Sequence, residues 1–471
     1  MKTYRRILSV LLCVLMLTAM TVPAFSVSAA TSCTCSNTPV VYIKGRTNIY
    51  KTPDDTSDGN LAETNFSGGE DAILEATYNI LPAFATALIT DKWDNYCDIL
   101  FEEIRPIYDQ YKLNNDGEVD NESGVDPYWT LENMISRVKS AGKNAHKRYA
   151  DNITATQFQY DMRIDPCENA KALNTYIETI KQVSGHNKVC IVSRCEGTVI
   201  ANAYFNMYGY DSVEKNIVFN SIASGAEIAD DVYSNKVVFD ADAMNRFVNT
   251  FIDTSPILDF VKATVNLATF NGLLDEGLGF VNDIYGKISA NLMPRLIREI
   301  FGCCPGWWGM ISLDAYDECK EFVLDGNKDG TYDKLVEKIE NYNVYKANAL
   351  GILEEMQQNG VEVYVLAKYG SQMYPCIENY DILGDGVVSV YRQTFCGATT
   401  SEITGTLPKN YIEERTQAGF GKYISADGKI DASTAPFSDH TWYIKELEHH
   451  MYPEVTDRFM LRIIRHDGYA T

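Results

Sequence analysis

The stretch Lys188-Val189-Cys190-Ile191-Val192-Ser193-Arg194-Cys195-Glu196-Gly197-Thr198-Val199-Ile200-Ala201-Asn202-Ala203 changes character at its middle. Lys188 to Val192 is a short β-branched run that reads as a fully buried strand. Thr198 to Tyr208 follows an amphipathic helical pattern, with small residues in its first turns. Between them, Ser193-x-Cys195-x-Gly197 has the form of a nucleophile elbow. In such an elbow, small flanking residues let strand and helix close around a strained reactive side chain. A thiol at that point sits at a helix N-terminus, whose partial positive charge favours the thiolate. The competing reading is a buried thiol that packs as a small hydrophobe.

Outward from this turn the same alternation recurs. Pro39 to Ile43, Asn216 to Phe219 and Val361 to Leu366 read as buried strands, and Thr441 to Ile444 as a weaker one. Cys167 to Val183 reads as an amphipathic helix. Apolar strands alternating with helices predict an α/β chain with a mostly parallel sheet covered on both faces. Two segments interrupt the pattern. Glu70 to Tyr111 is helical and aromatic, and residues 240–347 carry helical periodicity almost throughout, with a Gly/Cys/Trp knot at Phe301 to Met310. The expected division is a leader at 1–29, a core in two parts at 30–239 and 348–471, and a helical cap at 240–347. Core-facing helices of one compact domain are the alternative for that last segment.

The 471 residues carry 41 basic and 64 acidic side chains, a net charge of −23. Such an acidic chain is a poor partner for a phosphate backbone, so no nucleic-acid partner is expected. Lys2, Arg5 and Arg6 precede the apolar run Ile7 to Met20. Pro23 and the small residues Val27-Ser28-Ala29 follow it, which predicts a secretory signal cleaved near Ala29-Ala30. Loss of those three basic residues makes the charge −26. No later run approaches the ~18 apolar residues of a spanning helix, so no integral membrane segment is expected after cleavage. Export would leave eleven cysteines, an odd number that leaves at least one thiol unpaired or bridged between molecules. Setting Cys195 aside leaves an even ten.

Further segments join the elbow in a fixed order. Phe158-Gln159-Tyr160-Asp161-Met162-Arg163 precedes it, and Ile382-Leu383-Gly384-Asp385-Gly386-Val387-Val388 follows the helical insertion. Pro39-Val40-Val41-Tyr42-Ile43-Lys44-Gly45-Arg46 opens the series, and Pro305-Gly306-Trp307-Trp308 lies in the insertion. At these residues the chain resembles the α/β-hydrolase superfamily, in its lipase and lecithin:cholesterol acyltransferase-like branch. That branch carries a Y-D-W-R segment, the elbow and a G-D-G-x-V acid loop in this order. The resemblance runs from Pro39 to the C-terminus. It departs from the branch in Cys195 for serine, Ser193 for the first elbow glycine, Met162 for tryptophan, and Asn220 to Ser224 for a glycine–threonine–proline loop.

The resemblance implies an α/β-hydrolase fold with Cys195 as nucleophile and Asp385 as the acid of a triad. Its chain order excludes His146 and His186 as the base. His449 is preferred on the loop after the last strand, with His450 close behind and His440 and His466 further off. The backbone N–H groups of Arg46 and Glu196 would form an oxyanion hole, and Lys44 and Arg46 would put positive charge near its mouth. The expected activity is exported hydrolysis of a small-molecule or lipid ester through an acyl-thioenzyme. The alternatives are a catalytically silent hydrolase-fold binding protein and an acyltransferase. No cofactor and no metal are expected. Asp325-Gly326-Asn327-Lys328-Asp329-Gly330 opens like a calcium loop, but Val336 stands where the bidentate glutamate is needed, so it reads as a turn that starts a helix.

Overall fold

In the computed structural model the described residues are 33, 35, 37–51, 69–120, 123–142, 153–250 and 256–466. The expected signal lies outside them. Six strands form one all-parallel sheet: β1 (Val40–Ile43), β2 (Gln157–Phe158), β3 (Val189–Arg194), β4 (Val213–Phe219), β5 (Glu362–Tyr369) and β6 (Thr441–Lys445). Their spatial order is β6-β5-β4-β3-β1-β2. The chain is therefore of the α/β class, a parallel sheet flanked by helices. β2, only two residues long, is too short to show any periodicity and was not expected.

Alternation along the strands explains why both faces are covered. Val41, Ile43, Ile191 and Val218 point to one face, where helices Pro166–Ser184, Gly197–Tyr208 and Ala349–Gln358 cover them. Val40, Tyr42, Cys190 and Val192 point to the other, where Met460, Ile463 and Ile464 of helix Glu454–Arg465 close it. Each of these aliphatic side chains contributes roughly 1.5–3 kcal/mol by leaving water. Local signals set the helix ends. Asp165 accepts the Cys167 N–H at 2.8 Å ahead of Pro166, and Gly185 ends that helix at φ +74°.

Register aligns the upper ends of the central strands: Ile43 lies opposite Ser193, and Ser193 opposite Val218. The chain leaves β1 for β2 on one side and returns to β3 on the other. A crevice therefore opens above their carboxyl ends, where such sheets place ligands. Gly45 and Arg46 follow β1 there, and Cys195 follows β3.

Between β4 and β5 the described residues are helical and contain no strand. The main helices are Ala241–Thr250, Pro256–Phe270, Leu273–Ile297, Tyr316–Leu324 and Asp333–Ala347. Trp308, Cys304, Ile311, Cys319, Leu335 and Ile339 form a second apolar cluster. Lys346 is buried among these helices and donates to the carbonyls of Trp308 (3.1 Å) and Ile311. Not every apolar residue of the periodic stripe turns inward, since Phe280 and Val281 are exposed. The Asp325–Asp333 segment is a turn that leads into helix Asp333–Ala347, with Asn327 Oδ1 accepting the Tyr332 N–H at 2.8 Å. No helix among the described residues is long and apolar enough to cross a membrane.

Candidate active site

Cys195 has φ +51°, a left-handed conformation that costs a side-chain-bearing residue on the order of 1–3 kcal/mol. The surrounding glycines make the turn possible. A Cβ at Gly197 would stand 2.6 Å from the Ile43 carbonyl oxygen and 2.7 Å from that of Lys44. A Cβ at Gly45 would stand 3.0 Å from the Cys195 Cβ. The Cys195 N–H donates to the Phe219 carbonyl at 3.2 Å, which anchors the elbow to β4.

The imidazole of His449 lies between two of the expected partners. Its Nε2 is 2.9 Å from Cys195 Sγ, and its Nδ1 is 2.8 Å from Asp385 Oδ2. Asp385 is fully buried and His449 nearly so. The acid loop holds its carboxylate from behind, since Asp385 Oδ1 accepts the N–H groups of Val387 (3.1 Å) and Val388 (2.9 Å). The His449 N–H donates to the Asp385 carbonyl at 2.8 Å, so the two loops are also tied through the backbone. Burial opposes a charged imidazole, but the Asp385 carboxylate and the Cys195 sulfur outweigh it and raise His449 to about 10.

The other histidines stand elsewhere. His450 lines the cavity beside His449, with ring centroids 5.2 Å apart, and burial together with the neighbouring imidazole lowers it to about 4. His440 packs on Tyr364 and contacts the Val363 carbonyl, while His466 follows the last helix.

Cys195, Arg46, Glu196, His449 and His450 open into a cavity of about 260 Å³. Its remaining wall is almost wholly apolar or aromatic, including Ile222, Ala226, Ile228, Val232, Tyr374 and Val387. Helix Glu227–Tyr233 and the loop before it supply much of this wall, and the expected 240–347 cap contributes Phe301, Trp307 and Met310. The Arg46 guanidinium lies 5.5 Å from the Trp307 ring. Burial raises the Glu196 carboxyl to about 7, against the opposing pull of Arg46 and His449.

Two of the quoted motifs meet below this wall. Gly306 packs so closely on the Met162 carbonyl that a Cβ there would stand 2.0 Å from it. The Gly306 N–H donates to the Arg163 carbonyl at 3.0 Å. Arg163 is itself buried, paired with Asp161 at 2.7 Å and donating to Gln110 O and Ser123.

Sequence reading missed three groups around His449. Lys368, inside β5, donates to the carbonyls of Glu448 (3.0 Å), His449 (2.9 Å) and Met451 (2.7 Å) and so fixes the histidine loop. Burial lowers this lysine to about 7. Asn220 Nδ2 lies 3.1 and 3.2 Å from the two imidazole nitrogens and donates to Tyr452 Oη at 3.2 Å. The one available signal was a lysine just beyond the apolar run Val361 to Leu366.

Comparison with protein-family models, curated proteins and solved structures finds no match.

Proposed function

We propose that the chain is an exported acyl hydrolase of the α/β-hydrolase type, acting on ester substrates through Cys195, His449 and Asp385. The observation that carries this reading is the continuous contact from Cys195 Sγ through the His449 imidazole to Asp385, opening into an apolar cavity.

His449 holds the proton of the Cys195 thiol, and the sulfur attacks the ester carbonyl. The negative oxygen that develops would be stabilised by the backbone N–H groups of Arg46 and Glu196, two residues that line the cavity together with Cys195. As the C–O bond breaks, His449 Nε2 passes its proton to the departing alkoxide and leaves the acyl group on sulfur. A water molecule then gives a proton to His449 and attacks the thioester. The C–S bond breaks, the carboxylic acid leaves and gives its proton to solvent, and the thiolate is regenerated beside the protonated imidazole. Asp385 holds the imidazole in the required orientation and stabilises its charge.

The apolar wall supports a hydrophobic acyl group as substrate. The basic n-region, apolar run and small-residue site before Ala30 support secretion. Hydrolysis of short-chain p-nitrophenyl esters by the wild-type and Cys195→Ala proteins tests the proposal. Activity lost with the alanine supports it, and activity that survives removes Cys195 from the mechanism.

A further inference from the structure

The amino-terminal end of β3, opposite the elbow, carries a second thiol–imidazole cluster. Cys33 Sγ and Cys35 Sγ are 3.3 Å apart, and Cys35 Sγ is 3.5 Å from His186 Nε2. All three ligand-capable atoms lie within 4.8 Å of one another. The backbone brings them together: the Cys33 N–H donates to the Gly185 carbonyl at 2.8 Å, and His186 follows Gly185 in the turn that feeds β3. His186 is buried and Cys35 is exposed.

The geometry points to a site for a thiophilic d10 cation of the zinc type, held by Cys33 Sγ, Cys35 Sγ and His186 Nε2.

Two thiolates and an imidazole form a ligand set that selects such ions over calcium or magnesium. Around tetrahedral zinc, with bonds of ~2.3 Å to sulfur and ~2.0 Å to nitrogen, ligand atoms stand roughly 3.5–3.8 Å apart. The observed 3.5 Å falls within that range, and the 3.3 Å sulfur pair needs to open by only a few tenths of an ångström. A Cys33–Cys35 disulfide would instead require the sulfurs to close to ~2.05 Å across a single intervening residue. Cys35 and His186 border a cleft of about 480 Å³ that also contains Glu214, which leaves room for water or a carboxylate in the fourth position. Lys188 and Arg465 line the same cleft. Their charge does not oppose a divalent cation already neutralised by two thiolates.

The whole of β3 separates this cluster from Cys195, about 20 Å at ~3.3 Å per residue. The cation would therefore clip the segment before β1 to the turn before β3 and take no part in acyl transfer. Zinc titration of the metal-free protein under reducing conditions, followed by elemental analysis after desalting, tests this. About one equivalent should be retained by the wild-type protein and by Cys195→Ala. The affinity of the Cys33→Ser/Cys35→Ser double variant should fall by at least roughly 100-fold. In the wild-type protein, zinc should also slow alkylation of Cys33 and Cys35 and raise the melting temperature. Zinc retention unchanged by the double variant, or zinc that fails to protect these two thiols, overturns the inference. So does peptide mapping that finds Cys33 joined to Cys35 in the protein as isolated.

Discussion

The two ends of β3 each present a thiol beside an imidazole, and they differ in what stands behind the pair. Above the carboxyl ends of the strands, Cys195 is held at φ +51° by flanking glycines, and its imidazole is backed by a buried carboxylate 2.8 Å away. Below the amino ends, Cys35 has no such elbow. Its neighbours are His186 and a second sulfur at 3.3 Å. A single sulfur with an oriented, charged base suits attack on a carbonyl, whereas two sulfurs converging with an imidazole suit a cation. The same side-chain types therefore support different chemistry according to backbone strain and the third group.

The largest expected effect separates the two ends outright. Cys195→Ala should lower kcat/KM for ester hydrolysis by at least ~10⁵-fold while leaving zinc retention and the melting temperature close to wild type. Asp385→Asn should come next, with a loss on the order of 10³–10⁴-fold at neutral pH, because the imidazole loses its orienting anion. That variant carries a further expectation for the pH profile. In the proposed mechanism the leaving group takes its proton from His449, so wild-type activity should hold through neutral pH and fall as His449 deprotonates near pH 10. Removing the Asp385 charge should move this alkaline limb downward.

Lys368→Met sharpens the comparison at a distance from both sulfurs. It deprives three carbonyls of the 448–451 loop of their donor, and should lower kcat by roughly 10-fold through loss of positioning. KM should move less, and Cys35 should be unaffected.

The smallest expected effect concerns stability. Glu196 is raised to about 7 in the folded chain, from an unfolded value near 4.5. Between these values the folded state holds a proton that the unfolded state has lost, so stability falls as pH rises through that window. Glu196→Gln should flatten this part of the melting-temperature profile, measured between about pH 4.5 and 7.

The strand–elbow–helix unit was legible because local chemistry dictates it. An apolar run needs burial, and Gly197 is the only residue type that fits against the Ile43 and Lys44 carbonyls. The Gly384-Asp385-Gly386 loop was legible for the same reason, with Gly386 at φ +101°. Long-range pairings left no such trace. Lys368 falls two residues beyond the apolar run Val361 to Leu366, and its three acceptors lie some eighty residues downstream. His186 was set aside as a base, and nothing local ties it to Cys33 and Cys35 about 150 residues earlier. The cavity wall at Ala226 to Tyr233 went unread because a seven-residue helix has too little periodicity to show which face it buries.

In the proposed mechanism Cys195 is the reactive thiol because His449 and Asp385 stand behind it. The most direct measurement is labelling of the native protein with an electrophilic ester analogue, followed by peptide identification. One equivalent of label on Cys195 at neutral pH, strongly slowed in Asp385→Asn, is the predicted result. Label spread over Cys35, Cys376 and Cys396, with Cys195 unmodified or equally reactive in the Asp385 variant, would contradict it.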